Sequence, residues 1–82
     1  MIYAKCIELK KLIAKYNRKQ FRAENCLRYE FGMFTDGEWS CTLKSDGCID
    51  LHDFYEIYNY ICTISSVPFM YSSKFGFRVH IQ

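Results

Sequence analysis

The segment LRYEFGMFTDGEWSCTLK, residues 27–44, decides the fold, because apolar and polar residues alternate on both sides of a turn. The apolar positions are Leu27, Tyr29, Phe31 and Met33 before the turn, and Trp39, Cys41 and Leu43 after it. A period of two is typical of strands with one buried face, and the residues at 35–38 form a turn signal. The segment therefore predicts an antiparallel hairpin.

A helical pattern precedes the hairpin and another follows it. Over residues 2–17, one amphipathic stripe is formed by Ile2, Cys6, Leu9, Ile13 and Tyr16. From residue 51 to about residue 63, a second predicted stripe is formed by Leu51, Phe54, Tyr55, Tyr58, Ile61 and Cys62. Asp50 is the expected N-cap of this second helix. Pro68 is expected to keep the helix from continuing, because proline disfavours helical geometry in its predecessor.

A last alternating run, with Phe75, Phe77, Val79 and Ile81 on one face, predicts a strand at the end of the sequence. The order is helix, strand, strand, helix, strand. We therefore predict an α+β fold with two helices packed on one face of a small, mainly antiparallel sheet. The sheet has three to four strands, the fourth being a short strand at Cys48 and Ile49. Residues 1–82 are expected to form a single compact domain.

Composition argues against several classes of protein. Half of the residues are apolar and fifteen are aromatic, which is enough for one core. Charges interrupt the first sixteen residues, so we expect no secretory signal, and the apolar runs are shorter than the about 20 residues that span a bilayer. An odd number of cysteines, five, without a Cys-x-x-Cys pair favours reduced thiols. These features predict a cytoplasmic protein with no membrane partner.

Residues 45–54, SDGCIDLHDF, resemble the second half of an EF-hand calcium loop. With Gly47 at the invariant sixth position, aspartates fall on positions 5, 9 and 12. Positions 1 and 3 are Thr42 and Lys44, so the site loses two carboxylates and gains a cation. A turn followed by a helix N-cap explains the same residues, and we expect no calcium site.

Other chemistries have weaker signals. Cys41, Cys48 and His52 lack the fourth convergent ligand and the close pairs of structural zinc. No local signature marks an activated nucleophile with a base in reach. The run 75–77, Phe-Gly-Phe, resembles the aromatic core of an RNA-recognition-motif strand, but the flanking residues depart from that motif. We therefore predict no metal, no cofactor and no enzymatic activity.

Charge is divided unevenly along the chain. Residues 1–22 hold seven Lys or Arg and one acid, a net of +6, whereas residues 24–56 hold eight acids and two basic residues, a net of −6. One interpretation is that the first helix binds nucleic-acid phosphates. The other is a solvated basic face that the acidic segment partly neutralises. The residues predicted for nucleic-acid binding are Lys11, Lys15, Arg18, Lys19 and Arg22.

The function expected from these features is protein binding. On the second helix, Tyr60 and Ile64 are expected to point away from the predicted stripe, among carboxylates, and tyrosine is enriched at interface hot spots. The predicted partner-binding residues are Asp36, Glu38, Asp46, Asp50, Asp53, Glu56, Tyr60 and Ile64.

Chains of this size and composition are common among phage and mobile-element inhibitors of host enzymes, such as anti-CRISPR and other anti-defence proteins. We expect a module that blocks a nucleic-acid-handling host enzyme by steric occlusion, with its acids in a groove built for nucleic acid. Direct nucleic-acid binding through the first helix is the alternative. A redox or metal-dependent enzyme is a third class, and it predicts a reactive, low-pKa thiol or a bound metal. A homodimer is compatible with each of these.

Overall fold

A computed structural model describes residues 2–33, 39–65 and 76–81 of the chain. The predicted order of helices and strands is confirmed, and the fold is α+β. The elements are α1 (Ile2–Arg18), a 3-10 turn (Ala23–Asn25), β1 (Arg28–Met33), β2 (Trp39–Lys44), α2 (Leu51–Ile64) and β3 (Gly76–Ile81). The predicted turn at 35–38, Pro68 and the start of the last predicted strand lie outside the described residues.

The described strands form one antiparallel sheet in the order β1-β2-β3. Cys41, in the central strand, is opposite Phe31 of β1 and Val79 of β3. The fourth strand expected at Cys48 and Ile49 does not form, because the backbone N–H of Cys48 donates to the side chain of Asn25 instead of to a strand. The sheet therefore has three strands in the described part of the chain.

The core lies between the two helices and one face of the sheet. Its buried apolar residues are Cys6, Leu9, Ile13, Tyr16, Leu27, Cys41, Leu43, Phe54, Ile57, Ile61, Ile64 and Ile81. The predicted stripe of α1 is confirmed from Cys6 to Tyr16. Both helices contribute to the same core as Cys41 and Leu43, which share one face of the central strand.

The predicted burial of β1 is wrong for two of its residues. Leu27, just before the strand, is buried and Phe31 is partly buried, but Tyr29 is 43% exposed and Met33 is 60% exposed. The physical reason is the position of β1 at the edge of the sheet, where the helices cover less of the strand than they cover of β2. The alternation in the sequence predicts which side chains of β1 share a face of the sheet. It does not predict how much of that face the helices cover.

The predicted rotation of α2 is also wrong. Its buried residues are Phe54, Ile57, Ile61 and Ile64. This face is turned by about 80° from the predicted stripe, at about 100° per residue. The helix has apolar residues around more than half of its circumference, so its composition permits either face to be buried. The face that is buried is the one that packs on α1, where the rings of Phe54 and Tyr16 meet edge to face with centroids 6.3 Å apart.

The last turn of α1 holds the start of α2. The backbone N–H of Asp50 donates to the hydroxyl of buried Tyr16 at 3.0 Å. The carboxylate of Asp50 accepts from the backbone N–H groups of His52 (2.9 Å) and Asp53 (3.2 Å), so the predicted N-cap is confirmed. Tyr16 thereby fixes the residue at which α2 begins.

The next residue of α1, Asn17, holds the start of the sheet. Its amide oxygen accepts from the backbone N–H of Leu27 at 2.8 Å, and its amide nitrogen donates to the carbonyl of Leu27 at 3.1 Å. The Asn17 side chain thus makes the hydrogen bonds to the backbone of Leu27 that a neighbouring strand would otherwise make.

The SDGC connection packs on the 3-10 turn. Ser45 Oγ donates to the carbonyl of Glu24 at 3.1 Å, and the N–H of Cys48 donates to Asn25 Oδ1 at 3.1 Å. A Cβ at Gly47 would overlap Asn25 Oδ1 and lie 3.0 Å from the carbonyl oxygen of Glu24. The glycine is therefore required by a close approach of two segments and not by a calcium ligand geometry.

Replacing Tyr16 with phenylalanine tests the link between α1 and α2. We expect Tyr16→Phe to lower the free energy of unfolding by about 1 kcal/mol, because the N–H of Asp50 loses its acceptor. Urea denaturation measures the change. Tyr55→Phe is the matched control, since its ring is exposed, and an equal loss in the two variants would contradict the assignment.

Replacing Gly47 with alanine tests the close approach. We expect Gly47→Ala to destabilise the fold by roughly 1–3 kcal/mol, the usual range for inserting atoms into filled space. Gly32→Ala is the control, because a Cβ there meets Ser40 Oγ at an ordinary 3.9 Å. Thermal unfolding of both variants provides the comparison, and a Gly47→Ala protein as stable as Gly32→Ala would argue against the contact.

Candidate functional site

One feature of the described surface is a row of exposed side chains on α2. Leu51 is 78% exposed, Tyr55 64% and Tyr58 38%, and Cys62 is also exposed. Spacings of four, three and four place these residues on one side of the helix. We call this set the α2 row. All four residues belong to the stripe that the sequence predicted to be buried.

A groove of about 440 Å³ runs beside the N-terminal half of the α2 row. It is lined by Lys19, Leu51, His52, Asp53, Tyr55 and Glu56. A neighbouring cleft of about 570 Å³ shares Lys19 and Asp53 and includes the fully exposed ring of Phe21. Apolar and charged groups therefore alternate over the surface where the end of α1 meets the start of α2.

Ion pairs between the two helices cross this surface. Lys15 Nζ lies 3.0 Å from Glu56 Oε1, and Lys19 Nζ lies 3.7 Å from Asp53 Oδ1. Gln20 Nε2 donates to the other oxygen of Asp53 at 3.4 Å. Exposed pairs of this kind contribute about 0–1 kcal/mol. The basic and acidic segments therefore partly neutralise each other in the fold, as the second interpretation of the charge pattern expects.

The predicted partner-binding acids have different positions and roles. Asp36 and Glu38 lie outside the described residues. Asp46 pairs with Arg28 at 2.6 Å, at an exposed site away from the ion pairs of α2. Asp50 caps α2, whereas Asp53 and Glu56 line the groove. Within the ranges 2–33, 39–65 and 76–81, no three His, Cys, Asp or Glu side chains converge closely enough to hold a metal ion.

The predicted exposure of Tyr60 and Ile64 is wrong. Ile64 is only 5% exposed and belongs to the core, and Tyr60 is partly buried with its hydroxyl donating to the carbonyl of Lys5 at 3.4 Å. Burial raises the pKa of Tyr60. These two residues join α2 to α1, so they do not contribute to the exposed face of the helix.

The five cations predicted for nucleic-acid binding divide into two groups. Lys15, Lys19 and Arg22 each pair with a carboxylate, and the partner of Arg22 is Glu24 at 3.2 Å. Lys11 and Arg18 are exposed and have no acidic partner among the described residues. Most of the predicted phosphate-binding charge is thus already paired within the chain.

All five cysteines are free thiols in the structure. Cys6 and Cys41 are buried, and burial raises the pKa of Cys6 and raises the pKa of Cys41 to about 12. Neither thiol ionises near neutral pH, and the thiolate is the nucleophilic form. Cys48 and Cys62 are exposed, and Cys62 belongs to the α2 row.

The comparisons with known proteins add no family. The chain matches no protein-family model, and no curated protein or solved structure matches it. In the described parts of the chain, neither helix has the length and apolar character that crossing a bilayer requires. Function is therefore inferred from the surface of the chain itself.

A signal for the α2 row was present in the sequence. Phe54, Ile57, Ile61 and Ile64 recur at spacings of three, four and three, which is a complete stripe in its own right. Choosing that stripe as the core leaves Leu51, Tyr55, Tyr58 and Cys62 on a second, exposed stripe. Composition alone does not favour one choice, since both stripes are apolar.

Thiol labelling tests this assignment of buried and exposed residues. With iodoacetamide near neutral pH, we expect Cys48 and Cys62 to be alkylated in the folded protein, and Cys6 and Cys41 to react only after unfolding. Peptide mass spectrometry over time identifies the modified residues. Labelling in denaturant, where all five react, is the control. Labelling of Cys41 as fast as Cys62 in the folded protein would show that the core is wrongly assigned.

Proposed function

We propose that this chain is a non-catalytic protein-binding module that uses the α2 row and its groove. The observation that carries the proposal is the exposure of Leu51 and Tyr55 on one side of a helix that is held in the core by a different side. Contiguous apolar patches on soluble proteins mark interaction sites. Tyrosine is enriched among the residues that dominate binding energy.

The geometry suits the mode in which an amphipathic helix lies in an apolar groove of its partner. In that mode the anchors recur at helical spacing, as in the α2 row. The other face of α2 is packed in the core and its first turn is capped by Asp50. Binding therefore requires little ordering of the helix, and a smaller ordering cost leaves more of the contact energy as affinity.

Charge supports a partner whose apolar groove has a cationic rim. The cap and body of α2 contain Asp50, Asp53 and Glu56 and no Lys or Arg. The pair of Glu56 with Lys15 is exposed, so an arginine of a partner can compete for the Glu56 carboxylate. Cation-lined grooves are typical of enzymes that handle nucleic acid, and occlusion of such a groove is the inhibitory mechanism that we propose.

Direct nucleic-acid binding is the second candidate. It is favoured by Lys11 and Arg18, which lie seven residues apart on the exposed side of α1 without acidic partners among the described residues. It has less support, because phosphate binding usually recruits several cations and the other three predicted cations are paired.

Affinity capture from the source cell's lysate tests the proposal. We expect wild-type protein to retain a nuclease-resistant protein at near stoichiometric yield, and Leu51→Ser/Tyr55→Ser to retain it at least about tenfold less, since two anchors are lost. The matched control is Tyr29→Ser/Met33→Ser, which removes similar apolar surface from β1. Glu56→Gln tests the electrostatic contribution, with weaker capture expected.

Two outcomes would overturn the proposal. One is equal capture by wild-type and Leu51→Ser/Tyr55→Ser. The other is an eluate that contains nucleic acid, released as salt rises and lost with Lys11→Ala/Arg18→Ala, because that pattern indicates phosphate contacts.

A further inference from the structure

The outer edge of β1 pairs with no strand in the part of the chain that the structure describes. In the sheet order β1-β2-β3, this strand pairs with β2 alone, so one side of its backbone has no strand partner among the described residues. The pairing with β2 is continuous from Arg28 to Met33, without a bulge. The strand also contains no lysine or proline. Bulges, prolines and charged side chains, lysine above all, are the features that usually prevent edges from pairing. The charged residues of β1 are Arg28, which pairs with Asp46, and Glu30.

Apolar side chains lie along this edge on the helical face of the sheet. Tyr29 and Met33 are exposed, and Phe31 between them is partly buried. The rings of Tyr29 and Phe31 meet edge to face with centroids 5.6 Å apart, and Lys10 Nζ lies 5.4 Å from the centroid of Phe31. The edge therefore presents both backbone hydrogen-bonding groups and an ordered apolar surface.

We propose that two copies of this chain pair through β1, antiparallel, to form one continuous six-stranded sheet. The two-fold axis of such a pair is perpendicular to the sheet, so the helical faces of both copies lie on the same side. Opposing residues then share a face, since side chains alternate along a strand. The register that fits has Phe31 opposite Phe31 of the second copy and Tyr29 opposite its Met33.

The side chains of β1 select this register. It pairs five residues of each strand, 29–33, and places both exposed apolar residues against each other. Glu30 lies opposite Gly32, which has no side chain. If the pairing moves to the next register in one direction, Glu30 lies opposite Glu30 of the second copy. Like charges directly opposite are destabilising. A shift in the other direction pairs fewer strand residues.

The α2 row is not part of this edge. Each copy in the dimer therefore retains its own row. Self-association and partner binding are separate properties in this arrangement, and each can be removed without the other.

Two double variants with the same sites test the dimer and its register. Tyr29→Glu/Met33→Glu places like charges opposite each other twice, whereas Tyr29→Glu/Met33→Lys places opposite charges there. We expect wild-type protein to sediment as a dimer, the first variant as a monomer, and the second as a dimer. The dissociation constant should differ between the variants by about tenfold or more. Sedimentation equilibrium over a range of protein concentrations measures it, and circular dichroism checks that both are folded.

The control is Leu51→Ser/Tyr55→Ser, which should remain dimeric even if it loses its partner. A wild-type chain that is monomeric at all concentrations would overturn the proposal. Equal loss of dimer in the two β1 variants would overturn the register, because residue 29 would not then face residue 33. Loss of dimer in the α2 variant alone would assign self-association to α2 and overturn pairing through β1.

Discussion

The rest of the structure depends on the last turn of α1. Tyr16 accepts a hydrogen bond from Asp50, the cap residue of α2, and Asn17 exchanges two hydrogen bonds with Leu27 at the start of the sheet. Two adjacent side chains thereby hold two elements that are distant in sequence. Because all three bonds are made to backbone groups, they fix where each element begins as well as its distance from α1.

The rotation of α2 determines the candidate binding face. With Asp50 held by Tyr16 and Phe54 packed against the same ring, the helix buries the side that contains Ile57 and Ile61. The apolar residues on its other side remain in solvent. One helix therefore stabilises the core with one stripe and offers the other stripe for binding.

The basic and acidic segments, which are separate in the sequence, lie next to each other in the fold. The segments with net charges of +6 and −6 meet where Lys15 of α1 and Lys19, just after it, approach Glu56 and Asp53 of α2. The separate acidic and basic sites suggested by the sequence become one mixed surface. Several exposed apolar side chains at regular spacing, and not an excess of one charge, therefore distinguish the α2 row and the β1 edge, whereas Phe21 is a single exposed ring.

The sequence by itself determined the element order, the antiparallel hairpin, the buried stripe of α1 and the Asp50 cap. These depend on short-range periodicity and on local hydrogen bonds, which neighbouring residues are sufficient to specify. Only the tertiary structure decided which side of α2 is buried and how far the helices cover β1. Where two apolar stripes compete, as with Tyr55 and Ile57, the choice depends on the shape and hydrogen bonds of residues far away in the chain. The packing of α2 against α1 and the sheet makes that choice, and the apolar pattern within α2 does not.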